Sequence, residues 1–252
     1  MRYVLSNWKM YTTPDEALAL LARVQEGLRD RARAAEGELP TVIVCPPFVS
    51  LAALRDMADE RLIRLGAQNC HWEQEGPYTG ETSPAMLSGL VDYVLIGHSE
   101  RRATGETDEQ IGRKVVAAAE AGLVPILFVG EEEPTGAAVE EAERQLERGL
   151  EGVDLHERRA LVVYEPVWAV GSDEAADPVH VDEVVGKLKR TLNELGAEEP
   201  EVIYGGTVNA DNVDALTAVE SLDGVGATRA GLDAEEFLLI VDRVGRAGAE
   251  RS

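Results

Sequence analysis

The sequence is poor in lysine, in cysteine and in long apolar runs. Four of its 252 residues are lysine, and 24 Lys and Arg together face 47 Asp and Glu, for a formal net charge of −23. Such a charge repels nucleic acid and anionic membrane surfaces, so we expect neither as a partner. The two cysteines, Cys45 and Cys70, are isolated, which predicts neither a disulfide framework nor a metal knuckle.

No apolar run reaches the roughly 18 residues that a membrane span needs. Met1 leads directly into a strand-like segment, with no signal-peptide pattern before it. These features predict a cytoplasmic protein that does not enter a membrane. The excess of acidic residues disfavours an anionic substrate, unless a few local cations and helix N-termini bind it.

Short apolar segments alternate with longer amphipathic segments along the whole chain. Eight strand–helix units in 252 residues favour one α/β domain over residues 1–252, a single (β/α)₈ TIM barrel. An open, doubly wound sheet is the alternative. The predicted strands are Tyr3–Asn7, Thr41–Cys45, Leu62–Gln68, Asp92–Ile96, Leu123–Val129, Leu161–Tyr164, Val202–Gly205 and Asp223–Gly226, and the clearest predicted helices are Pro14–Arg31, Asp108–Ala121, Ala137–Leu150 and Pro178–Leu195.

Polar residues just after the predicted strands are the first candidates for a site, because the active site of such a barrel lies at the carboxyl ends of its strands. After the first strand, alternation places Asn7 and Lys9 on one face of the chain. An inward lysine is costly unless it meets an anion. The alternative is a lysine whose stem lies along the rim of the barrel.

A histidine and a glutamate follow two further strands. His98 comes after the fourth strand and could act on a substrate or be structural. Beyond it, Glu100 and Arg101 could form an ordinary surface ion pair. Glu165 ends the sixth strand and is a candidate base, because partial desolvation raises the pKa of a carboxyl group. A helix-capping role for Glu165 is the alternative.

Two loops complete the pattern. The segment from Pro166 to Ser172 is mostly apolar, as is typical of a lid that excludes water. After the seventh strand, Gly205 and Gly206 would let N–H groups approach a phosphate, and Thr207 adds a hydroxyl, although paired glycines also mark any tight turn. A cation, a neutral donor, a carboxylate and a phosphate site together suit proton abstraction next to a carbonyl.

With these motifs the sequence resembles the triosephosphate isomerase family nearly end to end. The resemblance implies the barrel fold and the interconversion of D-glyceraldehyde 3-phosphate and dihydroxyacetone phosphate through an enediolate. It implies neither a metal nor an organic cofactor. The motifs, in the order and spacing of the family, are Asn7-Trp8-Lys9-Met10, Ala67-Gln68-Asn69-Cys70, Tyr78-Thr79-Gly80-Glu81, Gly97-His98-Ser99-Glu100-Arg101-Arg102, Gly105-Glu106-Thr107, Tyr164-Glu165-Pro166-Val167-Trp168-Ala169 and Tyr204-Gly205-Gly206-Thr207.

The resemblance also implies a role for each site residue, and the family is itself a reference case of tuned pKa values. Glu165 would shuttle the proton between adjacent carbons, and neutral His98 would polarise the carbonyl. Lys9 would stabilise negative charge, Asn7 would hold the substrate, and Glu100 would be an auxiliary carboxylate. The phosphate would be bound by Gly171, Ser172 and Thr207, with N–H groups nearby such as those of Gly205 and Gly206.

A homodimer is implied as well, since the family is usually dimeric. The segment Asn69–Thr82 would dock into the partner, with Thr79 near the partner's site. Loops of this length are uncommon unless they have a function.

Two segments depart from the pattern of the family. After the last strand, Thr228 and Arg229 replace a glycine pair whose N–H groups bind phosphate, and a Cβ hinders such close approach. Arg229 could offer its guanidinium to the phosphate instead, or point outward. In the lid, Asp173 and Glu174 replace glycine and lysine, and we expect both carboxylates to face solvent. Phe128 stands where the family usually has cysteine.

These departures concern the phosphate end of the substrate. An alternative is therefore an isomerase of another ketose phosphate, such as a tetrulose phosphate. A non-catalytic barrel kept for binding is a further alternative, which the presence of Asn7, Lys9, His98 and Glu165 argues against.

Overall fold

Eight parallel strands close into a barrel in the order in which they follow one another along the chain. The computed structural model describes residues 1–34, 39–134, 138–172 and 174–251. Within them the predicted (β/α)₈ barrel is confirmed. The strands are β1 (Tyr3–Asn7), β2 (Thr41–Cys45), β3 (Arg64–Ala67), β4 (Tyr93–Ile96), β5 (Val124–Val129), β6 (Leu161–Tyr164), β7 (Glu201–Tyr204) and β8 (Gly224–Gly226).

Helices between the strands surround the barrel. The first of them begins where the Thr13 hydroxyl and the Glu16 carboxylate cap each other's N–H groups. The helix after the lid begins at Pro178, and the Asp177 side chain accepts a hydrogen bond from Val179 N. The helices are α1 (Pro14–Ala34), α2 (Leu51–Met57), α3 (Pro84–Leu87), α4 (Ser99–Ala103), α5 (Asp108–Glu120), α6 (Ala138–Leu150), α7 (Pro178–Glu194), α8 (Val213–Thr217) and α9 (Ala234–Arg251).

The predicted boundaries of β3 and β7 are wrong by one or two residues. β3 begins only at Arg64, because the N–H groups of Leu62 and Ile63 donate to Asp59 O in a turn. It ends before Gln68, whose side-chain amide donates to Lys9 O after β1 and to Cys45 O at the end of β2. β7 is shifted one residue toward the N-terminus and ends at Tyr204. The predicted helix start at Ala137 lies outside the described residues.

Both faces of the strands are buried, which explains their almost uninterrupted apolar sequences. One set of side chains fills the barrel interior, among them Leu5, Ile43 and Ile126. The other set packs between the barrel and the helices. Among the described residues, no helix combines the length and the apolar character that crossing a membrane would require.

The pairing of β8 with β1 closes the barrel, and glycine makes it possible. Gly224 lies beside Tyr3 in the parallel register. A Cβ built on Gly224 would lie 2.2 Å from Tyr3 O, whereas one on Gly226 would lie no closer than 3.4 Å to its nearest neighbour, Tyr204 O. The glycines that weaken the sequence pattern of β8 are therefore not equivalent.

We expect Gly224→Ala to lower the free energy of unfolding by about 3 kcal/mol, because the backbone of Tyr3 cannot move without opening the β1–β8 pairing. Gly226→Ala is the matched control in the same strand and should change it by less than about 1 kcal/mol. Urea unfolding followed by circular dichroism measures both. Equal losses in the two variants would contradict this account of barrel closure.

Candidate active site

A buried carboxylate lies at the carboxyl end of the barrel. Glu165 follows β6 directly, and its backbone N–H donates to Val129 O at 2.8 Å. The residue is only 3% exposed. Its Oε2 accepts a hydrogen bond from Ser99 N at 2.8 Å, and its Oε1 lies 3.3 Å from His98 Nε2. Burial raises the pKa of Glu165 to about 7, so this carboxylate can gain and lose a proton near neutral pH.

His98 is held as a neutral donor that faces Glu165. Its Nδ1 accepts a hydrogen bond from Glu100 N at 3.2 Å, so the proton of the neutral ring is on Nε2. Burial, with Lys9 as the second cause, lowers the pKa of His98 to about 4. The ring packs against Phe128 with a centroid distance of 4.9 Å, which helps to keep water away. The imidazole is therefore uncharged at neutral pH.

Lys9 enters the site by a route that strand alternation does not describe. β1 ends at Asn7, and Lys9 has a left-handed backbone with φ of 49°. The interpretation that both residues share one strand face is therefore wrong. The turn is held by a hydrogen bond from Lys9 N to Asn7 Oδ1 at 3.0 Å. Lys9 Nζ lies 2.6 Å from Glu100 Oε1, which brings the predicted cation and the auxiliary carboxylate together.

The lid, residues 166–177, begins directly after Glu165. Gly171 has φ of 74°, a conformation that favours glycine. The Ser172 hydroxyl lies within hydrogen-bonding distance of Ala169 O at 3.0 Å and Glu174 O at 2.6 Å, so it stabilises the lid's own turn. Glu174 is exposed, as expected, whereas Asp173 lies outside the described residues.

Thr207 contacts the lid from the loop after β7, the strand next to β6 in the barrel. Its Oγ1 is 2.8 Å from Ala169 O and 3.1 Å from Ser172 O, both of them lid carbonyls. The hydroxyl therefore donates to the lid, and only the N–H of Thr207 is left to meet a phosphate.

The glycine pair after β7 is required by packing. Gly205 N–H donates to Tyr164 O at 2.8 Å, so it is not free to bind a phosphate, contrary to the prediction. A Cβ on Gly205 would lie 2.2 Å from Val163, and one on Gly206 would lie 2.2 Å from Tyr204 Oη. The pair lets the loop after β7 pass close to β6 and to Tyr204.

The segment after β8 carries a free cation at the same end of the barrel. Arg229 is exposed, and its guanidinium has no hydrogen bond or ion pair with any other described residue. Thr228 beside it is half-buried. β8 pairs with β7 through Ile203 and Tyr204, which places this segment next to the loop of Thr207.

A polar group under the lid was missed by sequence reasoning. Glu131 is fully buried, and its Oε1 accepts hydrogen bonds from Tyr164 Oη at 2.9 Å and Trp168 Nε1 at 2.8 Å. At the other end of the lid, Ala176 N donates to Tyr204 Oη at 2.9 Å. Glu131 stands two residues after β5, so the search for polar residues at strand ends should have found it.

The segment Asn69–Thr82 is organised by its own side chains. His71 stacks on Trp72 at 4.2 Å and lies 4.4 Å from Tyr78 between ring centroids. His71 N donates to Thr82 O at 2.8 Å and closes the loop. Large exposed apolar side chains follow the neighbouring strands β1, β2 and β3, which gives this rim an apolar surface. They are Met10, Tyr11, Phe48, Val49, Tyr78 and Met86.

A cavity of about 1190 Å³ lies at the opposite end of the barrel, but each of the four arginines that line it bonds within the protein. Arg159, for example, bonds Tyr3 Oη and Glu201, each at 2.7 Å. Within the described residues, no three or more His, Cys, Asp or Glu side chains are grouped so that they could hold a metal ion.

A (β/α)₈ barrel with a buried carboxylate, a neutral imidazole, a lysine and a lid over its mouth defines an enzyme that can move protons next to a carbonyl. Residues 2–244 match the family model of triosephosphate isomerase. The chain therefore belongs to the triosephosphate isomerase family, and it is an isomerase.

Similar proteins span the whole barrel. The chain is 39% identical over 245 residues to a triosephosphate isomerase of Dehalococcoides mccartyi, with 94% of each chain covered. It is 41% identical over 248 residues to one of Moorella thermoacetica, covering 95% of this chain and 97% of the relative. A crystal structure of triosephosphate isomerase from Bartonella henselae superimposes with a TM-score of 0.84 at 32% identity, covering 96% and 98% of the two chains. These matches favour triosephosphate isomerase over the alternative of another ketose phosphate isomerase.

Proposed function

We propose that the chain interconverts D-glyceraldehyde 3-phosphate and dihydroxyacetone phosphate through an enediolate, with Glu165 as the base that moves the proton. The observation that carries the proposal is the pairing of Glu165 Oε1 with His98 Nε2 at 3.3 Å inside a buried mouth. A base with a pKa near 7 is well matched to proton transfer at neutral pH.

In this mechanism Glu165 takes a proton from the carbon beside the carbonyl and returns it to the neighbouring carbon. His98 donates its Nε2 proton in a hydrogen bond to the oxygen on which negative charge develops, and the hydroxyl proton of the enediolate passes from one oxygen to the other before the second carbonyl forms. Lys9 stabilises that charge, and Asn7 holds the substrate. Glu165 must first give up its bond to Ser99 N, because the same carboxylate has to reach the substrate.

Glu100 keeps Lys9 in place in the proposed mechanism. The 2.6 Å ion pair holds Lys9 Nζ at the mouth, where the lysine side chain is 18% exposed and that of Glu100 is 58% exposed. Such an exposed partner adds little to stability, so its value lies in orientation. The reaction uses neither a metal nor an organic cofactor.

We propose that the phosphate lies between the lid and the loops after β7 and β8. Its donors are N–H groups of Gly171, Ser172, Gly206 and Thr207, together with Thr228 and the guanidinium of Arg229. A local cation is needed to bind the anionic phosphate, because the chain as a whole carries a net charge of −23. Gly205 contributes by packing. Arg229 is charged, exposed and without a partner among the described residues, which suits this task.

We also propose a cytoplasmic homodimer of single-domain subunits spanning residues 1–252. The support for dimerisation is the apolar rim after β1, β2 and β3, because exposed apolar patches of this kind mark interaction surfaces. The stacked rings of His71, Trp72 and Tyr78 organise the loop 69–82 in advance, which lowers the entropy cost of docking.

Glu165→Gln should lower kcat by at least about a thousandfold, because the amide cannot take a proton.

In the wild type, kcat/KM should fall about tenfold per pH unit below pH 7 and level off above it, since a raised carboxyl pKa leaves the base protonated at lower pH. The substrate phosphate titrates near pH 6, so the profile should be repeated with unphosphorylated D-glyceraldehyde. A near-normal rate for Glu165→Gln would remove Glu165 as the base.

Arg229→Ala should raise KM for D-glyceraldehyde 3-phosphate about tenfold with little change in kcat, because a charged hydrogen bond to the phosphate is lost. Arg246→Ala removes the same charge from an exposed position on α9 and serves as the control. If both variants raise KM equally, the effect is one of overall charge and Arg229 does not contact the phosphate.

At micromolar concentration, light scattering should give about twice the 27.2 kDa mass of one chain. Tyr78→Asp should shift that mass toward one chain, because a charge placed on the apolar rim must be desolvated when the subunits dock. Val179→Asp adds the same charge at an exposed apolar residue of α7 and should leave the mass unchanged. A single-chain mass for the wild type would reject the dimer.

A further inference from the structure

His180 joins the far end of the lid to the group of side chains under its beginning. It is the third residue of α7, the helix that follows the lid. Its Nε2 lies 3.0 Å from Tyr164 Oη and 3.5 Å from Glu131 Oε1. The ring centroid is 6.2 Å from that of Trp168. One imidazole thus meets β6, the loop after β5 and the first turn of the lid.

The directions of these hydrogen bonds follow from the groups themselves. The Tyr164 hydroxyl donates to Glu131 Oε1, so its single proton points to Glu131. Burial raises the pKa of Tyr164, which keeps that proton in place. The remaining lone pairs of Tyr164 Oη can then only accept, and His180 Nε2 must carry a proton. The result is a chain of donors from His180 through Tyr164 to Glu131.

Few hydrogen-bond donors reach the Glu131 carboxylate. Its Oε2 is buried and without a hydrogen-bond partner in the structure, so Tyr164 and Trp168 supply the close hydrogen bonds, both to Oε1. A buried carboxylate is costly unless it is well hydrogen-bonded, and a donor to Tyr164 Oη makes that hydroxyl a stronger donor to Glu131. Of the groups that meet here, Tyr204 also packs on Tyr164, with ring centroids 6.4 Å apart.

We propose that His180 is a positioning residue that sets the lid for gripping the substrate phosphate. Trp168 holds the beginning of the lid through Glu131, and Tyr204 holds its end through Ala176 N. His180 is fixed to the helix just after that end and aligns Tyr164 and Glu131 beneath the beginning. The two attachments therefore set the position of Gly171 and Ser172 together. The inference rests on the proposed function, because it assigns the lid the task of binding phosphate.

In the proposed role, His180 touches neither the substrate nor Glu165. Its effect should therefore reach only those substrates that the lid grips, since binding energy from a remote phosphate is realised through the lid. A residue that merely supported the fold would affect all substrates alike, and this difference supplies the test.

The experiment compares His180→Leu, His180→Gln and Val179→Ala with the wild type. His180→Leu removes the donor, and kcat/KM for D-glyceraldehyde 3-phosphate should fall about tenfold, mainly through KM. For unphosphorylated D-glyceraldehyde, kcat/KM should change less than about twofold. His180→Gln keeps an N–H donor at similar reach and should restore most of the loss. Val179→Ala, at the neighbouring exposed residue, should match the wild type.

An NMR measurement reports on the lid without turnover. The chain has three tryptophans, so three indole N–H signals are expected. His180→Leu should move the signal of Trp168, assigned by Trp168→Phe, and leave that of the buried Trp8 in place.

Three results would overturn the inference: unchanged kinetics for His180→Leu, equal losses on both substrates, or no rescue by glutamine. Failure of the proposed function would look different, because the wild type would then not isomerise D-glyceraldehyde 3-phosphate at all.

Discussion

The hydrogen-bonded pairing of β8 with β1 is the constraint on which the rest of the molecule depends. With that pairing formed, every strand has two neighbours, and all eight carboxyl ends meet around one mouth. Residues far apart in the sequence become neighbours there, as Lys9 and Glu100 do. Closure needs Gly224, because a side chain at that position would collide with the backbone of Tyr3.

Desolvation within this mouth moves two pKa values in opposite directions. It raises that of Glu165 to about 7 and lowers that of His98 to about 4, because burial disfavours the charged form of each group. Near neutral pH the carboxylate can therefore exchange a proton while the imidazole stays a neutral donor. The hydrogen bond from Glu100 N to His98 Nδ1 then directs the imidazole proton toward Glu165.

The lid depends on polar groups that lie beneath it. Thr207 contacts two lid carbonyls, Tyr204 accepts from Ala176 N, and Glu131 accepts from Trp168. The departure from the family pattern after β8 is consistent with this arrangement. The Thr207 hydroxyl is used by the lid, while Arg229 remains free of partners among the described residues.

Periodicity and motif spacing predict the eight strand–helix units of the barrel, and Asn7, His98 and Glu165 as strand-end candidates. These features are local, because burial on both faces makes each strand apolar and a polar residue after it stands out. Strand alternation is the wrong reason for placing Lys9 in the mouth, since a left-handed turn brings it there. The hydrogen bonds of the Gly205 N–H and the Thr207 hydroxyl are not visible in the sequence, because their partners lie on β6 and in the lid.

His180 lies outside the sequence candidates for a similar reason, whereas Glu131, two residues after β5, meets the strand-end criterion. Their hydrogen-bond partners come from other strands and helices, at separations along the chain that no local pattern encodes. The sequence by itself determined which segments form strands and helices and which residue types stand at their ends. Only the tertiary structure decided which of those groups are desolvated and which are paired with one another, because both depend on barrel closure bringing distant segments together.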